Sequence, residues 1–185
     1  MKRYSGIMFN DTVDVVNNLA VSFWTQGCPH RCCNCHNPQT WDYSGGKTLP
    51  DNYIDSIING LNKNGISRDL SILGGEPLCD NNIDIVRDLV YRVRYERPET
   101  FIYVWTGNVF ENLIKDTKTR ILLSKIDILI DGPYMDDKRD ITLPLRGSTN
   151  QRVLNLNESL RRSAPVQISN INNIKEECLC ENLRT

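Results

Sequence analysis

Apolar positions recur along the chain in two alternating periods. Within 52–64, Ile54, Ile57, Ile58 and Leu61 fall at i, i+3, i+4 and i+7, the stripe of an amphipathic helix, and Gly65 is a natural stop. Within 82–97, Ile85, Val86, Leu89, Val90 and Val93 form a second stripe, closed by Pro98. Shorter apolar runs lie between these stripes. Those at 19–24, 69–73, 101–105, 126–130 and 152–156 are rich in β-branched and aromatic residues and read as strands. Two short helices are expected at 109–115 and 120–124.

Strands alternating with helices of this length predict an α/β fold of βαβ units on a mainly parallel sheet. The chain has 185 residues, enough for one well-buried core. That is too few for a complete (β/α)8 barrel, so a partial (β/α) barrel of about five or six mainly parallel strands with outer helices is expected. A single domain over 1–160 is expected, followed at 161–185 by a polar, asparagine-rich tail that is flexible or faces a partner.

In such sheets ligands gather at the carboxyl ends of the strands. The unusual residues fall there. The first strand leads into Cys28-Pro-His-Arg-Cys-Cys-Asn-Cys35, the second into Gly74-Gly-Glu-Pro77, the third into Thr106-Gly107 and the fourth into Asp131-Gly132.

Composition narrows the class. Hydrophobic residues make up 39% and charged residues 24%, with a formal net charge of -1, the balance of a globular protein in water. Basic residues are scattered, so nucleic-acid binding through a broad basic patch is not expected. No apolar run is long enough to span a membrane, and the first residues lack the apolar core of a secretory signal. A cytoplasmic protein is expected, with neither nucleic acid nor membrane as partner. Seven cysteines clustered at short spacing in such a compartment point to metal or redox chemistry rather than disulfides.

Cys28, Cys32 and Cys35 are spaced C-x3-C-x2-C. Structural zinc and ordinary four-iron sites take four protein ligands, whereas this loop offers three and leaves one position open. The Gly74-Gly75 pair lets backbone approach a ligand closely, and Glu76 beside it can accept from an ammonium group. An amino-acid-like ligand could therefore chelate the open iron while the Gly-Gly-Glu-Pro edge holds its ammonium. Cys33 and Cys79 read as incidental thiols. Cys178-Leu-Cys180 reads as part of the tail, with a second metal or an electron relay as the alternative. Asp131-Gly132 is a turn or a ligand contact. Arg146 and Arg152 are surface charges, or they orient the cofactor or a partner's loop.

The three-cysteine loop together with Gly74-Gly-Glu-Pro77 resembles the radical S-adenosylmethionine superfamily. Within it, the run from Gly27 to Trp41, Trp105-Thr-Gly107, Asp131-Gly-Pro-Tyr134 and Arg146-Gly-Ser-Thr-Asn-Gln-Arg152 resemble the activases of anaerobic ribonucleoside-triphosphate reductase. The resemblance implies that Cys28, Cys32 and Cys35 hold a [4Fe-4S] cluster whose fourth iron binds S-adenosyl-L-methionine. Reductive cleavage would then yield a 5′-deoxyadenosyl radical that generates a glycyl radical on the large subunit of the reductase. A low-potential donor such as flavodoxin would supply the electron. By position, Asn34 and His36 would lie against the cofactor, Gly74, Gly75 and Glu76 would contact its methionine part, and Thr106 its ribose or methionine. Asn34 stands where many members carry an aromatic residue. Three alternatives stay open: a small-molecule enzyme of the carboxy-deazaguanine synthase type, an activase of another glycyl-radical enzyme, and a zinc-binding interaction module.

Overall fold

The strand-like runs assemble into one seven-stranded sheet in a computed structural model that describes residues 1–182. The strands are β1 (Arg3–Asp11), β2 (Ala20–Thr25), β3 (Lys47–Thr48), β4 (Asp69–Gly74), β5 (Ile102–Trp105), β6 (Ile128–Asp131) and β7 (Arg152–Asn155), in the order β3-β1-β2-β4-β5-β6-β7. The central four, β2, β4, β5 and β6, are parallel, and the outer pairings are antiparallel. The mixed α/β class and the parallel centre match the sequence reading. The strand count does not. β1 was not expected because Arg3-Tyr-Ser-Gly-Ile-Met-Phe-Asn-Asp11 carries no strict alternation. Its side chains are mostly half-buried or exposed, as on a strand near a sheet edge.

Helices follow the two long stripes. α1 (Tyr53–Leu61) and α2 (Ile83–Glu96) bury Ile57, Ile58, Leu61, Ile85, Val86, Leu89, Val90 and Val93 against one face of the sheet. α3 (Phe110–Leu113) and α4 (Thr117–Leu123) join them through Phe110, Leu113, Leu122 and Leu123. Alternate strand residues serve the two faces, as the pleat requires. Val21, Phe23, Leu70, Ile72, Ile102, Val104 and Leu129 point to the helices. Ala20, Tyr103, Ile128, Ile130 and Val153 point to the opposite face.

That second face is covered by the segment expected to be flexible or to face a partner. Past α5 (Leu156–Arg162), backbone bonds from Asn155 to Val166 and from Ile168 to Val153 lay the chain beside β7. In α6 (Ile174–Asn182), Ile174 and Cys178 are buried with Val15, Phe101 and Tyr103. Lys175 pairs with Asp69 at 2.7 Å and sits over the Phe101 ring. The polar average of this segment hid a few well-spaced apolar residues that suffice to pack it. Cys178 therefore belongs to the core, and the Cys180 side chain lies outside the described residues. No described helix is long and apolar enough to cross a membrane.

The loop between β1 and β2 carries a pH-sensitive group. Burial, reinforced by the neighbouring Asp11 carboxylate, pushes Asp14 up to about 7 from an ordinary value of 3.8. The folded state then holds a proton that the unfolded chain releases, so this group's contribution falls as pH rises from about 4 to about 7. Asp14→Asn is expected to shrink the loss of stability between pH 5 and pH 8, measured as the urea midpoint. An unchanged difference would contradict the assignment.

Candidate active site

Parallel pairing fixes which loops meet. Thr25 lies opposite Gly74, Ile72 opposite Val104 and Trp105 opposite Ile130, so the carboxyl ends of β2, β4, β5 and β6 form one rim. A cavity of about 200 Å³ opens there. Cys28, Cys32, Cys35, His36, Gly74, Gly75, Glu76 and Thr106 all line it. Eight of the nine residues expected at the site are thus brought to one cavity.

Asn34 is the ninth. Its φ is +52°, a left-handed backbone that favours Gly or Asn, and it lies outside the cavity. Its side-chain amide donates to Asp136 at 2.8 Å, and Asp136 also accepts from the Tyr134 hydroxyl at 2.9 Å. Asn34 therefore turns the loop and ties it to the segment after β6. Asn34→Ala is expected to lower the stability of the cluster-free protein by about 1 kcal/mol, and Asn34→Gly by less, because only alanine is strained at this φ. Equal urea midpoints for the two variants would contradict this.

The three thiols are half-buried, on one loop, and not in disulfides. Burial pushes the Cys28 thiol up, opposed by the backbone N–H groups of His30 and Arg31. Burial raises Cys32 likewise, opposed by the backbone N–H of Tyr134. The Asn37 N–H approaches the Cys35 sulfur at 3.4 Å. Each sulfur thus has a backbone donor aimed at it, a feature that supports a sulfur carrying negative charge. Cys33, between them, is exposed and outside the cavity.

Soft thiolates in this number suit an iron–sulfur cluster, where each sulfur engages a different iron. Among the described residues, no three His, Cys, Asp or Glu side chains converge on a position for a single ion. Further fit for an organic cofactor comes from Trp41. It lines the cavity, and its buried indole N–H has no hydrogen-bond partner among the described residues.

Besides lining the cavity, the glycine pair makes a close backbone contact that its sequence does not reveal. Gly74 has φ +108°, and a Cβ there would lie 2.7 Å from the Thr25 backbone. A Cβ on Gly75 would lie 2.3 Å from the Gly27 carbonyl oxygen. The close approach is to the chain entering the cysteine loop, sealed by the Glu76 N–H donating to that carbonyl at 2.9 Å. Asn82 donates to the same oxygen at 3.3 Å and to the Glu76 carbonyl at 2.9 Å.

Glu76 is 1% exposed, and protein donors surround its carboxylate. One oxygen accepts from the Leu78 N–H at 3.0 Å and the Thr106 hydroxyl at 2.8 Å. The other meets His30 Nε2 at 2.9 Å and the Gly107 N–H at 2.7 Å. The hydrogen bond to Glu76 raises the His30 pKa against partial burial. His30 was missed by sequence reasoning as a site residue. Its place between Cys28 and Cys32 and opposite an acidic turn was the available signal.

Asp131 and Arg152 form a structural pair. Asp131 is fully buried, accepts from the Phe110 N–H at 2.7 Å and binds Arg152 at 2.8 and 2.5 Å. Arg152 also holds Glu111, whose carboxyl it keeps at about 2. It thereby joins β6, β7 and α3 rather than reaching the cavity. Arg146 donates to the Gln151 carbonyl at 3.1 Å, and the Gln151 side chain, which lines the cavity, gathers the N–H groups of Gly147 and Ser148.

A family model described as the 4Fe-4S single cluster domain matches residues 18–154. The chain is 36% identical over 141 residues to the anaerobic ribonucleoside-triphosphate reductase-activating protein of Pasteurella multocida, covering 75% of this chain and 89% of that protein. The Escherichia coli K12 protein of the same name is 36% identical over 147 residues, 78% of this chain and 94% of its own. That of Enterobacteria phage T4 is 36% identical over 143 residues, 76% and 87% respectively.

Proposed function

The chain belongs to the family of anaerobic ribonucleoside-triphosphate reductase-activating proteins, built on a 4Fe-4S single cluster domain, and we propose that it is a radical S-adenosylmethionine activase of such a reductase. The observation that carries this reading is the cavity at the carboxyl rim. It places three thiols of one loop beside the Gly74-Gly75 turn and the end of β5.

Cys28, Cys32 and Cys35 would hold the cluster, and Gly74, Gly75, His36, Thr106 and the Trp41 N–H would surround S-adenosylmethionine. When bound, these groups supply one-electron cleavage of the sulfonium to methionine and a 5′-deoxyadenosyl radical, which takes a hydrogen atom from a glycine of the reductase. The protein's own part is placement. The entry to the cysteine loop at Gly27 packs on the Gly75 backbone, Leu73 and Trp105 give the cavity apolar wall, and backbone N–H groups face the sulfurs. The sheet acts as a splayed partial barrel whose open side admits the reductase's glycine segment. A low-potential donor such as flavodoxin delivers the electron, and the reaction takes place in the cytoplasm.

The reading is tested by incubating the reconstituted protein without air with S-adenosylmethionine, a reductant and the reductase. Methionine and 5′-deoxyadenosine are expected in equal amounts, in proportion to reductase added. Bound cofactor that is never cleaved under these conditions would refute it.

A further inference from the structure

We infer that Glu76 and His30 are positioning residues that lock the cysteine loop, the Gly74-Gly75 turn and the Thr106-Gly107 turn into one unit, and that Glu76 does not receive the ammonium of the cofactor. This inference rests on the functional reading above. A carboxylate has about four acceptor positions. Here all four are filled by protein: His30 Nε2, the Gly107 N–H, the Thr106 hydroxyl and the Leu78 N–H, between 2.7 and 3.0 Å. At 1% exposure the group has no water to supply or replace a partner. A ligand ammonium would have to displace one of these donors from its acceptor, and for the Thr106 hydroxyl and the Leu78 N–H that would leave a buried donor unpaired.

The donors come from three separate loops. His30 belongs to the cysteine loop, Leu78 to the turn after β4, and Thr106 and Gly107 to the turn after β5. The carboxylate is where they meet. The fit around His30 is steric as well. A Cβ on Gly107 would lie 2.5 Å from His30 Cδ2 and 2.7 Å from Nε2, so the imidazole lies directly on the Gly107 backbone. Removing the imidazole frees one end of the cysteine loop, and removing the carboxylate frees all three loops. The cofactor's ammonium is then left to acceptors other than the Glu76 side chain.

The test compares the wild type with His30→Ala, His30→Gln, Glu76→Gln and the double variant His30→Ala/Glu76→Gln. In the cluster-free proteins, alkylation of Cys28, Cys32 and Cys35 by iodoacetamide is followed by mass spectrometry. Cys178, buried at 3%, reports by its protection that the fold is intact. In the reconstituted proteins, S-adenosylmethionine affinity is measured by equilibrium dialysis. His30→Ala is expected to alkylate about 10-fold faster at the three cysteines and to bind the cofactor about 10-fold more weakly, as for the loss of a supporting partner around a metal site. His30→Gln, which keeps an N–H donor, should recover part of both. The double variant should be no worse than its worse single variant, since both break one contact.

The inference is overturned if His30→Ala behaves as wild type in both assays while Glu76→Gln alone loses affinity, the signature of a carboxylate on the ligand. It is also overturned if the glutamine variant rescues neither property. Failure of the wild type to take up a cluster or bind the cofactor would instead count against the functional reading. The alkylation rates of the cluster-free proteins would still decide the positioning role.

Discussion

Cys32→Ala protein, reconstituted without air with iron and sulfide, is expected to keep its fold and lose its four-iron cluster. Cys32 is one of only three thiols on the cavity, and no other Cys side chain among the described residues lines it. Two thiolates cannot hold three irons, and the free energy of cluster binding depends on every deprotonated ligand. The truncation removes one sulfur from a half-buried position, so the stability of the cluster-free protein should change by no more than about 1 kcal/mol. Iron and sulfide analysis with visible absorption would show the loss. Cys33→Ala is the control. That thiol is adjacent in sequence but exposed and outside the cavity, and its variant should load as the wild type does. Equal iron content in the two variants would contradict the ligand assignment.

Gly75→Ala is expected to be the most damaging substitution away from the cysteines. A methyl there meets the Gly27 carbonyl oxygen at 2.3 Å and the Gly27 carbonyl carbon at 2.9 Å, and both are backbone. No rotamer relieves the clash, because the obstructed atom is Cβ itself. The cysteine loop must be pushed off the turn after β4, breaking the 2.9 Å bond from the Glu76 N–H and the Asn82 bond that share this carbonyl. Overpacking of this kind costs about 1–3 kcal/mol, and here a broken buried hydrogen bond is added. The expected result is a urea midpoint well below wild type together with poor cluster uptake. Wild-type stability and loading in Gly75→Ala would show that the turn and the loop are not in the contact described.

The elements legible in the sequence were those with strong periodicity or dense β-branched content. The stripe from Ile85 to Val93 became α2 within a residue of its expected ends, since Pro98 and the apolar spacing act locally. The central strands were equally readable because they are buried on both faces. β1 was not, since its half-exposed side chains follow no single period. α5 was missed although Asn155 followed by Glu158 marks a helix start, and the Asn155 side chain does accept from the Glu158 N–H.

Site residues divide in the same way. Cys28, Cys32 and Cys35 were legible because short spacing alone brings them together. The Glu76 cluster was not, because His30 and Gly107 reach it from 46 and 31 residues away, and that juxtaposition exists only once the strands have paired. Asn34 carried a local signal, its tolerance of a left-handed backbone, that the family comparison obscured.

The central claim is that this cavity generates a radical on a partner protein. It is tested most directly by electron paramagnetic resonance on the reduced protein mixed without air with S-adenosylmethionine and the anaerobic reductase. A glycyl-radical doublet is expected on the reductase with the wild type and absent with Cys32→Ala. If 5′-deoxyadenosine accumulates with the wild type and the reductase never acquires the doublet, the account of its substrate is contradicted.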